Sequence, residues 1–168
     1  MQLRYLIIIL FFYFFALLQN SFFVHFSFFG SFPNFIFILF FLLVFFERKG
    51  NYYQIFFYAI IAGLFLDIFS SAYFGQSIIL LLLLGFLLKQ AQAILQERKN
   101  NNFPFIYFLP LFAISFIGYN LVVDFPPILF SLFAETVYNL LFVSVVFYVC
   151  KNFLKFGADD RQLPLFKV

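Results

Sequence analysis

The sequence predicts an all-α membrane protein: one integral domain built as a six-transmembrane-helix bundle, with both termini on the cytoplasmic side. Three observations carry this. Of 168 residues, 65% are hydrophobic, 10% are charged and 35 are phenylalanine, which is more apolar side chain than a soluble core of that size can enclose. The apolar residues fall into six runs divided by short polar segments. Threading the chain through a bilayer along those runs puts all 10 Lys and Arg residues on one side, and an excess of cations marks the cytoplasmic face.

The first run, Leu3 to Leu18, starts beside Arg4 and reads as a signal-anchor helix. Leu17-Leu18-Gln19-Asn20 lacks the small residues of a cleavage site, so this helix is expected to stay attached. Gln19 to Ser31 mixes Gln19, Asn20, Ser21, His25 and Ser27 with phenylalanines and contains no cation. It reads as an outer loop in the interface or as an extension of the helix before it. The second span, Phe32 to Phe46, is entered through Pro33-Asn34, with the proline suited to a first helical turn. Glu47-Arg48-Lys49-Gly50-Asn51 closes it on the cytoplasmic side. These two spans are shorter than the roughly 20 residues that cross a bilayer, and the apolar loop between them makes up the difference.

Tyr52 to Phe69 is the third span, and Ser70 to Gln76 is a tight outer turn containing Gly75. Ser77 to Leu95 is the fourth, followed by the polar cytoplasmic loop Glu97-Arg98-Lys99-Asn100-Asn101-Asn102. Phe103 to Val123 is the fifth, Asp124-Phe125-Pro126-Pro127 a short outer turn, and Ile128 to Val149 the sixth. Residues 150–168 form a basic cytoplasmic tail with Lys151, Lys155, Arg161 and Lys167. Tyr5, Tyr52, Tyr53 and Tyr148 lie near the inner boundary and Tyr73 and Tyr119 near the outer one, where amphipathic rings settle.

Several function classes lose ground at once. The net charge of +3 comes from small clusters flanking apolar runs, so it reads as topology anchoring and leaves no nucleic-acid footprint. A single cysteine, Cys150, builds neither a disulfide framework nor a thiolate metal site within the chain. His25, the one histidine, has no carboxylate or cysteine at ligand spacing and reads as an interfacial ring. Phosphate loops, nucleophile elbows and paired-histidine motifs are missing. No cofactor, metal or catalytic residue is expected.

Polar residues inside the spans are where function can sit, because an ionisable group in hydrocarbon costs roughly 2.5 to 3.5 kcal/mol on insertion scales. Asp67 and Glu135 qualify. Ala59, Ala62, Gly63 and Asp67 share one helical face, whose small residues let a neighbouring helix come close. Asp67 stands in the last turn of its helix, where the macrodipole disfavours an anion. Backbone donors at the start of span four are its expected partners; the residue either pins that hairpin or serves as a proton or substrate site. Ser131, Glu135 and Asn139 recur every four residues as a polar stripe on span six, which lines a cavity or bonds other helices. Asn120 and Asp124 are placed to meet this stripe. Two carboxylates and a few amides are thin material for an enzyme.

Pro33-Asn34 opening span two, a basic turn, Gly63-x-x-x-Asp67 closing span three, Gly75 in the outer turn and Asn139 in span six together resemble the rod shape-determining MreD family. The resemblance covers nearly the whole chain, although the family more often has Asp after that proline. It implies a fold like the substrate-binding subunits of energy-coupling factor vitamin transporters. It also implies a non-enzymatic component of the bacterial rod (elongation) complex in the cytoplasmic (inner) membrane, acting in cell-shape maintenance and peptidoglycan synthesis. The implied partners are MreC and, through it, a class B penicillin-binding protein, RodA and MreB; the other partner is the lipid bilayer, and a homo-oligomer is compatible with it. The small-residue face Ala59/Ala62/Gly63 and the stripe Ser131/Glu135/Asn139 are the expected packing or partner surfaces. The alternative is a substrate-binding subunit of a vitamin transporter itself, which wants an Ala-x-x-x-Ala-like face on the first helix, where this chain has Ala16 alone.

Overall fold

Phenylalanine and leucine side chains cover every side of one short helix, Phe35–Phe46, and ten of its 12 residues are buried. A helix that is apolar all round belongs in an interior, and the rest of the chain is arranged about this one. A computed structural model describes residues 2–27, 32–47, 51–69, 73–97, 104–123 and 129–153. Over these residues the protein is all-helical: α1 (Gln2–Leu17), α2 (Phe35–Phe46), α3 (Tyr52–Phe69), α4 (Gln76–Glu97), α5 (Pro104–Val123) and α6 (Leu129–Phe153). Four helical stretches, Leu3–Phe26, Tyr52–Phe69, Gln76–Ile94 and Phe130–Val149, are long and apolar enough to cross a membrane; Phe35–Phe46 and Tyr107–Val123 are shorter apolar helices. We refer to the two ends of the bundle by residues lying there, the Arg4 end and the Asn34 end.

Some boundaries differ from the sequence reading. The segment after α1 continues as a π-helical turn, Leu18–Phe22, and a 3₁₀ turn, Phe23–Phe26, so the extension of the first helix is what forms. Asn20 donates its amide to the Ala16 carbonyl at 2.8 Å and so satisfies backbone where the regular ladder changes pitch. Pro33 is not in the first turn of α2. Asn34 takes the N-cap position, its side chain accepting the Phe37 N–H at 3.0 Å, and the proline precedes it, buried. At the other terminus α6 runs on through Phe153, past the expected start of the tail. Arg48, Lys49, Arg98, Lys99, Asp124 and the tail cations Lys155, Arg161 and Lys167 lie outside the described residues.

Lipid tails are as apolar as these side chains, so burial alone does not choose neighbours and contact geometry has to. Between α2 and α5 it does so with rings. Phe37, Phe41 and Phe45, spaced by four, face Phe116, Phe112 and Phe108 in antiparallel register. Their centroids are 5.1, 5.1 and 4.9 Å apart and their planes cross at 78°, 88° and 89°, the edge-to-face geometry favoured by the ring quadrupole. On another side Phe35 meets Phe142 of α6 at 5.3 Å and 88°, and Phe46 stacks on Phe147 at 6.0 Å.

Replacing Phe112 by Leu keeps the volume nearly constant but removes edge-to-face pairs with Phe37 and Phe41. At about 0.5–1.5 kcal/mol per pair, unfolding titrations in mixed micelles should show a loss of about 1–3 kcal/mol. Phe133→Leu, on the exposed face of α6, should change little.

Candidate functional site

At the Asn34 end, polar side chains from all six helices or their caps and extensions bond one another or free backbone. The N–H of Asn34 donates to Asn139 Oδ1 at 2.7 Å, joining α2 to α6. Asn139, fully buried, donates its own amide back to the Glu135 carbonyl at 2.9 Å. Gln19, carried inward on the α1 face that also buries Ile8, Phe12 and Ala16, accepts the Ile36 N–H at 3.5 Å. The first-turn donors of α2, orphaned in any helix, thus meet amide oxygens from α1, α6 and the cap itself.

Asp67 receives the Gly75 N–H on Oδ2 at 2.7 Å and the Ser77 N–H on Oδ1 at 3.0 Å. The carboxylate leaves the unfavourable C-terminal pole of α3 and settles on the N-terminal pole of α4, where the dipole and the free N–H groups suit an anion. Gly75 makes the turn possible: its φ of +94° lies where a Cβ is strained. Ser77 Oγ is 2.9 Å from Tyr119 Oη, and Gln76 donates to the Val122 carbonyl at 3.2 Å, so the same turn ties α4 to α5.

The small-residue face of α3 is inside the chain. Ala59 and Ala62 are fully buried, and a Cβ built on Gly63 would stand 2.5 Å from the Ile78 Cα, so α3 and α4 approach there to backbone contact. Ala59, Ala62 and Gly63 are thus taken up by packing within the chain. The stripe on α6 is graded: Asn139 buried, Ser131 and Glu135 half-buried.

Glu135 reaches a cavity of about 300 Å³ that opens among the ends of α1, α2, α3, α5 and α6. Gln19, Asn20, Asn34, Tyr119 and Asn120 give it polar walls, and Phe32, Leu66 and Phe69 apolar ones. Asn120 is 4% exposed, and its Nδ2 has no hydrogen-bond partner among the described residues. Asn120 and the stripe residue Glu135 both line this cavity; Asp124 lies outside the described residues.

The Arg4 end holds a second polar network. Arg4 pairs with Glu47 at 3.0 Å and also donates to Gln54 Oε1 at 2.6 Å and Tyr58 Oη at 2.8 Å. Tyr58 donates to Glu47 Oε2 at 2.7 Å. Lys89, 7% exposed, gives its ammonium to the Glu47 carbonyl at 2.6 Å and to Gln92 Oε1 at 3.0 Å, and Gln92 donates to the Phe45 carbonyl at 3.0 Å. Lys89 is thus more than a topology anchor: with Gln92 it satisfies the last carbonyls of α2. The spacings Gln54/Tyr58 and Lys89/Gln92, three or four apart on otherwise apolar helices, are the sequence signals for this network.

Comparison of the chain with protein-family models, curated proteins and solved structures finds no match.

Two substitutions and one control test this architecture. Gly63→Leu forces α3 from α4 and should lower the melting temperature steeply or prevent folding, whereas Gly118→Ala, where an added Cβ meets nothing within 4 Å, should be neutral or slightly stabilising. Asp67→Asn keeps one acceptor for two N–H groups and loses the charge; about 1–3 kcal/mol of stability should disappear, measured by the same micellar unfolding.

Proposed function

We propose that this protein is a non-enzymatic scaffold of the bacterial rod complex, of the MreD type. It crosses the cytoplasmic membrane six times with both termini inside, in a fold like that of vitamin-transporter substrate-binding subunits. One observation supports this most: described polar groups at both poles bond helix ends and neighbouring helices, while the lateral surface is apolar helix. Leu6, Leu10, Phe14, Phe130, Phe133, Leu141 and Val145 are all exposed there. Such a surface acts through what it packs against in the plane of the bilayer. The Arg4 end, where Arg4 and Lys89 both reside, is the cytoplasmic one in this reading.

Its partner is the membrane helix of MreC, through which the class B penicillin-binding protein, RodA and MreB are held at one place. Phenylalanine facing lipid gives a partner little advantage over lipid, whereas small residues in a groove admit close backbone approach. With the Ala59/Ala62/Gly63 face internal, the groove between α5 and α6 is the docking surface. It has a volume of about 340 Å³ and is walled by Leu109, Pro110, Ala113, Leu140 and Ser144 among others.

Co-expression with MreC and purification of the intact chain tests this. MreC should co-purify, and Ala113→Phe, which fills the groove, should reduce its recovery at least tenfold with the melting temperature unchanged. Absence of MreC from the unmodified preparation overturns the scaffold reading; undiminished recovery with Ala113→Phe overturns the groove.

A further inference from the structure

The cavity at the Asn34 end is unlike the groove that would hold a partner: it lies at one pole of the bundle, not on its flank, and its walls are about as polar as apolar. Its volume of about 300 Å³ is at the small end of the range for small-molecule sites, which pair apolar walls with a few placed polar groups. We propose that it binds a small amino alcohol carrying an apolar group.

Each part of that ligand answers a feature of the walls. Among the described residues lining the cavity, Glu135 is the only acidic or basic one, and the described basic side chains Arg4 and Lys89 are engaged at the opposite end. Along the described walls an entering anion meets a carboxylate and no cation; an ammonium group gains the favourable pairing and its hydrogen bonds. Asn120 Nδ2 is a buried donor with no protein acceptor, a position that costs free energy unless something supplies one. An ammonium nitrogen has no lone pair to give, so the acceptor has to be a second group on the same molecule, and a hydroxyl oxygen is the smallest that serves. Phe32, Leu66 and Phe69 then face the remaining, apolar part.

Phenylalaninol combines the three features; of three relatives, 3-phenylpropylamine has no hydroxyl, 3-phenylpropanol has no ammonium, and 3-phenylpropionate has neither and carries the opposite charge. Binding to the full chain in nanodiscs, read by ligand-observed NMR against a cavity-filled Val123→Trp background, should rank phenylalaninol first. We expect at least tenfold tighter binding than 3-phenylpropanol and no saturable binding of 3-phenylpropionate. Glu135→Gln should bring phenylalaninol and 3-phenylpropanol to within about twofold, and Asn120→Leu should erase the advantage over 3-phenylpropylamine. Equal binding of the cation and the anion, or a phenylalaninol affinity unmoved by Glu135→Gln, overturns the proposal. Should Glu135→Gln fail to fold, Val123→Cys in a Cys150→Ser background decides. A cationic 2-aminoethyl methanethiosulfonate should modify it at least tenfold faster than the anionic 2-sulfonatoethyl reagent, and equal rates overturn the proposal.

Discussion

A helix of 12 residues is about 18 Å long at 1.5 Å per residue, well short of the roughly 30 Å of hydrocarbon in a bilayer. If α2 is to stand at the centre of a membrane bundle, both its ends fall at depths where water cannot satisfy them, and each unpaired backbone group there costs several kcal/mol. The structure meets this constraint with side chains from the surrounding helices. Asn34, Gln19 and Asn139 serve the N-terminal end; Lys89 and Gln92 serve the C-terminal end. Removing α2 would cost each of these side chains its bond to the backbone of α2, and removing them would leave α2 with open ends.

The lateral packing obeys a second rule, set by a solvent as apolar as the protein. Neighbours are selected by shape and by quadrupole, which explains why phenylalanines point inward in interleaved ladders on α2 and α5 while others face outward. The α3/α4 hairpin uses the opposite device, with Gly63 letting backbone touch backbone. Asp67 then locks the turn by exchanging one helix pole for another. A ring ladder tolerates some sliding, but the glycine contact and the carboxylate do not, and they set the register of α3 on α4.

The two poles differ in chemistry as well as position. At the Arg4 end, a guanidinium and a carboxylate pair within hydrogen-bond distance, and an ammonium bonds a helix carbonyl. The Asn34 end relies on the Asp67 carboxylate in the α3/α4 turn and elsewhere on amides, whose dipoles bond backbone at small desolvation cost; Glu135, the carboxylate among the described cavity walls, borders open volume. A bundle made this way is tied by a polar network at one end and hollow at the other. Docking along the flank and small-molecule binding at the hollow pole are therefore compatible in a single chain.

The apolar runs, the clustering of cations and the turn chemistry were legible in the linear chain because each is local. Hydropathy needs only a window, and the pinning of a hairpin by Asp67 needs only the neighbouring turn and the knowledge that a helix C-terminus repels an anion. Phe32 to Phe46 was legible as an apolar helix, but not as the central one, since a uniformly apolar segment carries no face to say what it packs on. For the same reason Phe37 and Phe133 look alike in sequence. The small residues Ala59, Ala62 and Gly63 announced a close approach without saying to what; only the fold puts Ile78 there. Lys89 counted as one more cytoplasmic cation until α2 was seen to end beneath it. Gln19, Asn34, Asn120 and Glu135 are spread over more than a hundred positions, and nothing in their spacing relates them. Composition and charge order thus determined that the chain is a membrane helical protein, while tertiary structure alone decided which apolar helix is enclosed and which polar groups share a cavity, because these depend on distances between segments that sequence separation does not encode.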